Sequence, residues 1–139
     1  MPMPMEYQHA SEDFDRFLTD LIEISGLATR NQVYTMAQAV LLVFRRRLDV
    51  RDALRFAAVL PPILRAIFVA DWNADEPVQP FAGHDVLTDE VQGLRRHHNF
   101  ASGTAIRNVA TALRRHVDQE ALDRVIATLP AGAADFWQA

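Results

Sequence analysis

The chain of 139 residues contains no cysteine. This absence excludes a disulfide framework, a thiolate zinc site, an iron–sulfur cluster and a cysteine nucleophile, and it is compatible with a reducing compartment. Positive charge is also scarce, because 14 Lys and Arg side chains are outnumbered by 18 Asp and Glu side chains, for a net charge of −4. Binding along a phosphate backbone requires a positive surface, so this balance disfavours nucleic acid as a partner.

Long hydrophobic runs are missing as well. The densest apolar stretch, residues 33–44, is interrupted by Thr35 and Gln38, and it is well short of the roughly 20 residues that span a bilayer. Residues 1–5 lack the basic segment and the apolar run of a secretory signal. We therefore expect a cytoplasmic protein without membrane contact, in which residues 1–10 form a flexible tail.

Sequence motifs of catalysis are absent too. There is no G-x-S-x-G elbow, no Gly-rich phosphate loop and no dinucleotide fingerprint. Ser11, Ser25 and Ser102 all lie at predicted helix ends, where a hydroxyl suits a cap or a turn. The sequence thus predicts a protein that is not an enzyme, with no catalytic, cofactor-binding or metal-binding residues.

The most informative feature that is present is an internal repeat. Leu60-Pro61 recurs as Leu129-Pro130, at a displacement of 129 − 60 = 69 positions. Residues 17–68 align with the later part of the chain at this displacement without a gap. Further identical residues in this alignment are Leu18/Leu87, Thr19/Thr88, Asp20/Asp89, Arg45/Arg114, Arg46/Arg115, Asp49/Asp118 and Arg55/Arg124. A repeat at one fixed offset predicts two copies of one supersecondary unit.

Hydrophobic periodicity predicts that each copy is helical. Apolar residues between 14 and 22 follow the i, i+3, i+4, i+7 spacing of one helix face, and Gly26 supplies its end. Thr29 and Gln32 form a capping box for a second helix, which continues to about Leu48. This second helix is apolar around most of its circumference, so we expect it to be the central helix.

Similar signals mark the remaining elements. Asp49 is a predicted N-cap for a third helix, and Pro61-Pro62 ends that helix and opens a short fourth one. In the second copy, Ser102 and Asp118 are the predicted caps of the second and third helices. The terminal Phe136-Trp137 predicts a tail that docks onto the core.

These elements predict an all-α fold, with two tandem copies of a three-to-four-helix unit packed into one helical bundle domain, residues 1–139. The first repeat covers residues 11–72, the linker residues 73–83 and the second repeat residues 84–139.

The sequence also resembles a known family. The first half of the bacterial family called Domain of Unknown Function 2267 is similar to residues 39–48, 60–68 and 71–72, and the second half to residues 109–117, 118–130 and 136–137. The resemblance implies an all-helical fold with two related halves and no assigned activity. Residues 69–71 depart from the pattern of that family, in which an aromatic residue and a glycine commonly precede the tryptophan that corresponds to Trp72.

An arginine cluster is the strongest candidate for a binding site. Arg45 and Arg46, with Arg114 and Arg115 at equivalent positions, have the forked donors that hold a phosphate or a carboxylate. The competing interpretation is structural, because cations in the last turn of a helix are favoured by its dipole. The sequence favours this structural placement.

Histidines and aromatic residues supply two weaker candidates. Four histidines are candidate metal ligands: His84, the adjacent His97 and His98, and His116. Their spacing is not that of a typical ligand set. A candidate aromatic interface consists of Trp72, Phe136 and Trp137, for which closure of the core is the alternative.

We therefore predict a small helical protein that acts through contacts with an unknown protein partner and self-associates as a homodimer. The alternative is an anion or nucleic-acid binder that uses Arg45, Arg46, Arg114 and Arg115, and a metal-dependent enzyme based on the histidines is less favoured.

Overall fold

The computed structural model describes residues 3–97 and 99–139, and within these residues every regular element is a helix. The helices are α1 (Met5–Gln8), α2 (Ala10–Ser25), α3 (Arg30–Arg45), α4 (Val50–Ala57), α5 (Pro62–Val69), α6 (His84–Gly93), α7 (Ala105–Arg115), α8 (Gln119–Ile126) and α9 (Ala133–Phe136). The prediction of an all-α fold is confirmed. None of the described helices is both long enough and apolar enough to cross a bilayer.

Helix α3 occupies the centre of the fold, as its apolar circumference predicts. It is in contact with α2, α5, α6 and α7. At its start the predicted capping box is present, since Thr29 accepts from the Gln32 amide while the Gln32 side chain accepts from the Thr29 amide. The preceding helix α2 ends at Gly26, which adopts the left-handed conformation with φ 75°.

The predicted end of this central helix at about Leu48 is wrong by three residues. Regular α-helix stops at Arg45, after which the amides of Arg47 and Leu48 bond to carbonyls only three positions back. This tighter turn brings the chain round to Asp49, where α4 begins.

Two aspartates cap helix starts as predicted. The Asp49 carboxylate accepts from the Asp52 amide at 2.8 Å at the start of α4. The Asp118 carboxylate accepts from the Ala121 amide at 3.2 Å at the start of α8. Helices α4 and α8 pack against each other. Capping of this kind satisfies backbone N–H groups that the first turn leaves free.

The predicted cap of α7 needs correction. Ser102 is not the N-cap, because α7 begins at Ala105 and Thr104 holds the cap position. The Ser102 hydroxyl instead accepts from the Thr104 amide at 3.3 Å, two residues along the chain. A serine hydroxyl bonds to nearby backbone amides in such local turns as readily as it caps a helix.

An aromatic core joins the C-terminal tail to helices α3 and α4. The Phe44 ring lies 4.9 Å from Phe136 and 5.2 Å from Trp137, measured between ring centroids. Phe56 stacks on Trp137 at 5.4 Å and also contacts Phe44, with 4.8 Å between centroids. Trp137 has no exposed surface, so the predicted docking of the C-terminal tail is confirmed.

The N-terminal segment, predicted as a flexible tail, contains a short helix in its described part. All four residues of α1 are exposed, and a single residue, His9, separates α1 from α2. Residues 1–2 lie outside the described part of the chain.

Candidate functional site

The first predicted anion ligand, Arg45, is occupied by main-chain oxygens. Its Nη1 donates to the carbonyls of Phe68 and Ala70, both at 2.9 Å, where α5 ends. The guanidinium also lies over the Trp72 ring, 5.4 Å from its centroid. Burial lowers the pKa of Arg45 from its ordinary value, with a smaller contribution from the neighbouring Arg46 charge. Arg45 therefore closes a helix end.

Arg46 binds an anion, but the anion belongs to the protein itself. Its Nη1 donates to Glu90 Oε1 at 2.8 Å. Arg47 holds the same carboxylate with two donors, at 2.8 Å to Oε1 and 2.6 Å to Oε2. The Arg47 side chain is only 4% exposed. Two arginines thus enclose one glutamate between α3 and α6.

The environment of Glu90 contains two opposing effects on its pKa. Burial raises the pKa, but the hydrogen bonds from Arg47 and Arg46, together with their charges, outweigh that effect. The pKa of Glu90 therefore lies below its ordinary value, and the carboxylate is ionised at neutral pH.

The arginines of the second half have separate surroundings. Arg114 donates from Nε to the Trp137 carbonyl at 3.0 Å and from Nη1 to Asp123 at 2.9 Å. Arg115 is exposed and lines a cleft that neither Arg45 nor Arg46 reaches. The structure does not bring the four candidate arginines to one site.

The histidines are also dispersed. The His84 ring lies 3.1 Å from the Asp135 carbonyl, and His97 is exposed. His116 Nε2 lies 2.6 Å from Asp20 Oδ2, whereas His98 is outside the described residues. Across residues 3–97 and 99–139, no three His, Asp or Glu side chains form a group that holds a metal ion.

The three residues of the candidate aromatic interface separate into two environments. Phe136 and Trp137 are fully buried in the core, so they have no surface to offer a partner in this conformation. Trp72 is partly exposed and lines a recess of about 150 Å³ with Val50 and Val78.

A larger cleft opens where three distant parts of the chain meet. It has a volume of about 390 Å³ and lies between α2, the start of α5 and the corner that joins α7 to α8. We call it the interhelical cleft. Its floor consists of apolar side chains, namely Phe14, Phe17, Ile63, Leu64 and Val117. A cleft of this volume lies within the range of small ligand-binding sites.

Charged side chains form the rim of the interhelical cleft. Arg16 pairs with Asp13 at 2.9 Å on α2. On the opposite side lie Arg115 and Asp118, the latter engaged as the cap of α8. The rim therefore carries both signs of charge around an apolar floor.

One wall of the cleft is fixed by the pair of His116 and Asp20. Besides its short contact with Asp20, the His116 ring packs edge-on against Phe17, with 5.9 Å between centroids. A carboxylate that orients an imidazole also occurs in hydrolases, but here the pair joins α2 to the corner between α7 and α8. The two contacts fix the position of the His116 ring, which lines the cleft.

One of the two internal pairs has a signal in the sequence, and the other has none. Glu90 lies three positions after Leu87 and next to Val91, both buried, so it falls on the inner face of α6. An acidic residue on an inner face indicates a buried partner. His116 and Asp20 are 96 positions apart, and no local pattern relates them.

Comparison with known proteins identifies a family for the chain. The family model described as "Uncharacterized conserved protein (DUF2267)" matches residues 14–136. No curated protein matches the chain.

Proposed function

The chain belongs to the DUF2267 family, and from that premise we propose that it is a non-enzymatic interaction module that binds an apolar protein segment in the interhelical cleft. The single observation that supports this function is the apolar floor of the cleft, which is open to solvent beneath a polar rim. Protein interfaces commonly place a few anchoring side chains in such a depression and surround them with polar contacts.

The dimensions of the cleft favour a protein segment with one or two anchoring side chains. A second depression, also of about 390 Å³, adjoins the cleft and shares five lining residues with it: Asp13, Pro61, His116, Val117 and Asp118. Together they form a groove that passes from α2 across the corner between α4 and α5. An extended or helical segment laid along a groove is a recurrent mode of peptide recognition.

The alternative of an anion or nucleic-acid binder receives less support. Arg45, Arg46 and Arg114 all donate to internal oxygens. Their use as ligands for an external phosphate would require breaking contacts that hold helix ends together. Arg115 alone of the four lies at the interhelical cleft, where it supplies rim charge.

We also infer that the two halves are copies of one unit. Helices α4 and α8 have bounds that differ by 69 positions at both ends. The donors Arg45 and Arg114 contact the carbonyls of Phe68 and Trp137, a pair with the same separation. The proposal retains a cytoplasmic location, with which the lack of cysteine is compatible.

Selection of peptides from a random phage-displayed library tests the proposed function. We expect the selected peptides to carry clustered apolar side chains and to bind Ile63→Glu about tenfold or more weakly than the native chain, because a charge replaces part of the cleft floor. Leu54→Glu is the matched control, since Leu54 is an exposed apolar residue of α4 outside the cleft.

Circular dichroism melting identifies any variant that fails to fold. Peptides that bind both folded variants equally well, or a selection without enrichment, would contradict the proposal.

A further inference from the structure

Two corners of the fold are counterparts, a word that we use for positions 69 residues apart in the inferred repeat. The first corner, residues 46–49, connects α3 to α4, and the second corner, residues 115–118, connects α7 to α8. Each corner ends in the aspartate that caps the next helix. The second corner lines the interhelical cleft. The surroundings of the first corner therefore indicate what fits beside the second.

Part of the chain's own linker covers the first corner. The amide of Gln79 donates to the Arg46 carbonyl at 2.9 Å, and residues 76–78 line a recess together with Leu48 and Asp49. We call residues 76–81 the covering segment. Its last five residues form neither helix nor turn, and its two prolines favour an extended backbone in the residues that precede them.

The ring of Phe81 anchors the covering segment. Its centroid lies 5.9 Å from that of Phe44. The ring also packs closely against Gly132, where a Cβ would lie 2.7 Å from the Phe81 side chain. Gly132 is the counterpart of Ile63, which belongs to the floor of the interhelical cleft. In one half of the molecule, an aromatic side chain thus lies at the place that corresponds to the cleft floor of the other half.

The second corner has no equivalent cover. Ala10, the counterpart of Gln79, is the first residue of α2 and lines the cleft, so the chain is helical there instead of crossing the corner. Among residues 3–97 and 99–139, no backbone amide outside the regular helices donates to the carbonyl of Arg115, which is the counterpart of the Arg46 carbonyl. The second corner therefore keeps an unused acceptor beside an open apolar floor.

We infer that the interhelical cleft takes an extended, proline-containing segment of a partner protein, bound as the covering segment is bound at the first corner. An amide of that segment donates to the Arg115 carbonyl, and an aromatic ring two positions later rests on the floor beside Ile63. Phe14 gives this ring an aromatic neighbour, as Phe44 does for Phe81. The inference rests on the proposed function and on the inferred repeat, since it names the chemistry of the partner at the same cleft.

A labelled peptide of residues 74–83 tests the inference, because it carries the covering segment detached from the chain. Fluorescence anisotropy with the full chain measures its binding. The first corner is already covered by the linker, so the open cleft is where we expect the peptide to bind. Ile63→Glu is expected to bind it about tenfold or more weakly. Leu54→Glu, outside the cleft, is the matched control and is expected to bind it as the native chain does.

Changes in the peptide test the two contacts without disturbing the fold of the chain. Replacing Phe81 of the peptide with alanine is expected to weaken binding about tenfold or more, because the anchoring ring is lost. Methylation of the Gln79 amide nitrogen is expected to weaken binding about fivefold, because it removes the donor to the Arg115 carbonyl. Methylation of the Val78 amide nitrogen is the matched control, since in the chain that amide donates to none of the described residues.

The outcomes separate failure of this inference from failure of the proposed function. A peptide that does not bind, that binds Ile63→Glu as well as Leu54→Glu, or that tolerates the loss of the Phe81 ring or of the Gln79 donor would overturn the inference. If library-selected peptides still bind the cleft, the proposed function stands. If no peptide of either kind binds, both proposals are overturned.

Light scattering coupled to size-exclusion chromatography tests the rival occupant, a second copy of the chain. We expect the native chain and Ile63→Glu to have the same mass, because the cleft takes a different protein. A native dimer that Ile63→Glu converts to a monomer would place a second copy in the cleft and would overturn the inference.

Discussion

At the residue scale, most arginines near helix ends act as internal donors. Arg45 donates to the carbonyls of Phe68, in the last turn of α5, and of Ala70 just after it. Arg114 donates to the carbonyl of Trp137, just after α9, and Arg65 to the carbonyls of Ala57 and Leu60. The last carbonyls of a helix lack intrahelical partners. A guanidinium with several donors in a plane satisfies two of them at once, which explains why arginine recurs at these positions.

Glu90 provides the clearest test of this internal pairing. We expect Glu90→Gln to lower the free energy of unfolding by about 2 to 3 kcal/mol, because Arg47 is buried and loses its counter-charge. The estimate lies below the usual range for a fully buried pair because the Glu90 side chain is 20% exposed. Urea unfolding at neutral pH measures the change. Asp89→Asn, at the exposed neighbouring position, is the control, and an equal loss in both variants would contradict the assignment.

The same pair predicts a pH dependence with a definite sign. Since the pKa of Glu90 is lowered by folding, its contribution to stability is fully present above the unfolded-state pKa and is lost as pH falls through the folded-state pKa. We expect the stability difference between the native chain and Glu90→Gln to shrink as pH falls below about 4.5. Urea titrations between neutral and acidic pH measure it, and a constant difference would refute this origin.

At the scale of elements, helix starts are encoded locally. Thr29, Asp49 and Asp118 were identified as caps from sequence, since each precedes an apolar helical stripe, and each accepts the expected amide. The exact ends were not predictable in the same way. The residues that follow α3 form a tight turn, in which Arg46 and Arg47 donate to Glu90. Glu90 is more than 40 positions away in the sequence, so no local pattern indicates this end.

A second limit of local prediction appears at Gly132. Its φ of 105° requires glycine, and a Cβ at this position would lie 2.7 Å from the Phe81 side chain. The sequence run of small residues after Pro130 indicates a weak helix, but the close approach of Phe81 from the linker is a tertiary contact. No periodicity within either segment specifies it.

The two aspartate caps yield a prediction at this scale. Asp49→Ala and Asp118→Ala are each expected to lower the free energy of unfolding by about 1 kcal/mol, because one backbone amide of α4 or α8 loses its acceptor. Thermal and urea unfolding measure both. Asp75→Ala, in the linker, is the control, because it removes a carboxylate that caps no helix, and we expect it to change the free energy of unfolding little. If the two cap variants lose no more unfolding free energy than this control, the capping assignment is contradicted.

At the scale of the whole molecule, the sequence predicted the helices and the core but not the cleft. Three of the residues that line it, Phe14, Ile63 and Val117, lie in separate segments of the sequence, in α2, in α5 and just after α7. Their convergence depends on the angles at which α2, α5 and the corner between α7 and α8 pack. Packing angles follow from side-chain interdigitation across the whole fold, so the candidate site is a property of the assembled bundle.

The most direct test of the central claim is a nitrogen–proton correlation spectrum of the isotope-labelled chain, titrated with a library-selected peptide. The account predicts that the largest shifts fall on the amides around Phe14, Ile63 and Val117, which line the interhelical cleft. Shifts concentrated instead around Trp72 and Val78, at the recess beside Arg45, would contradict it.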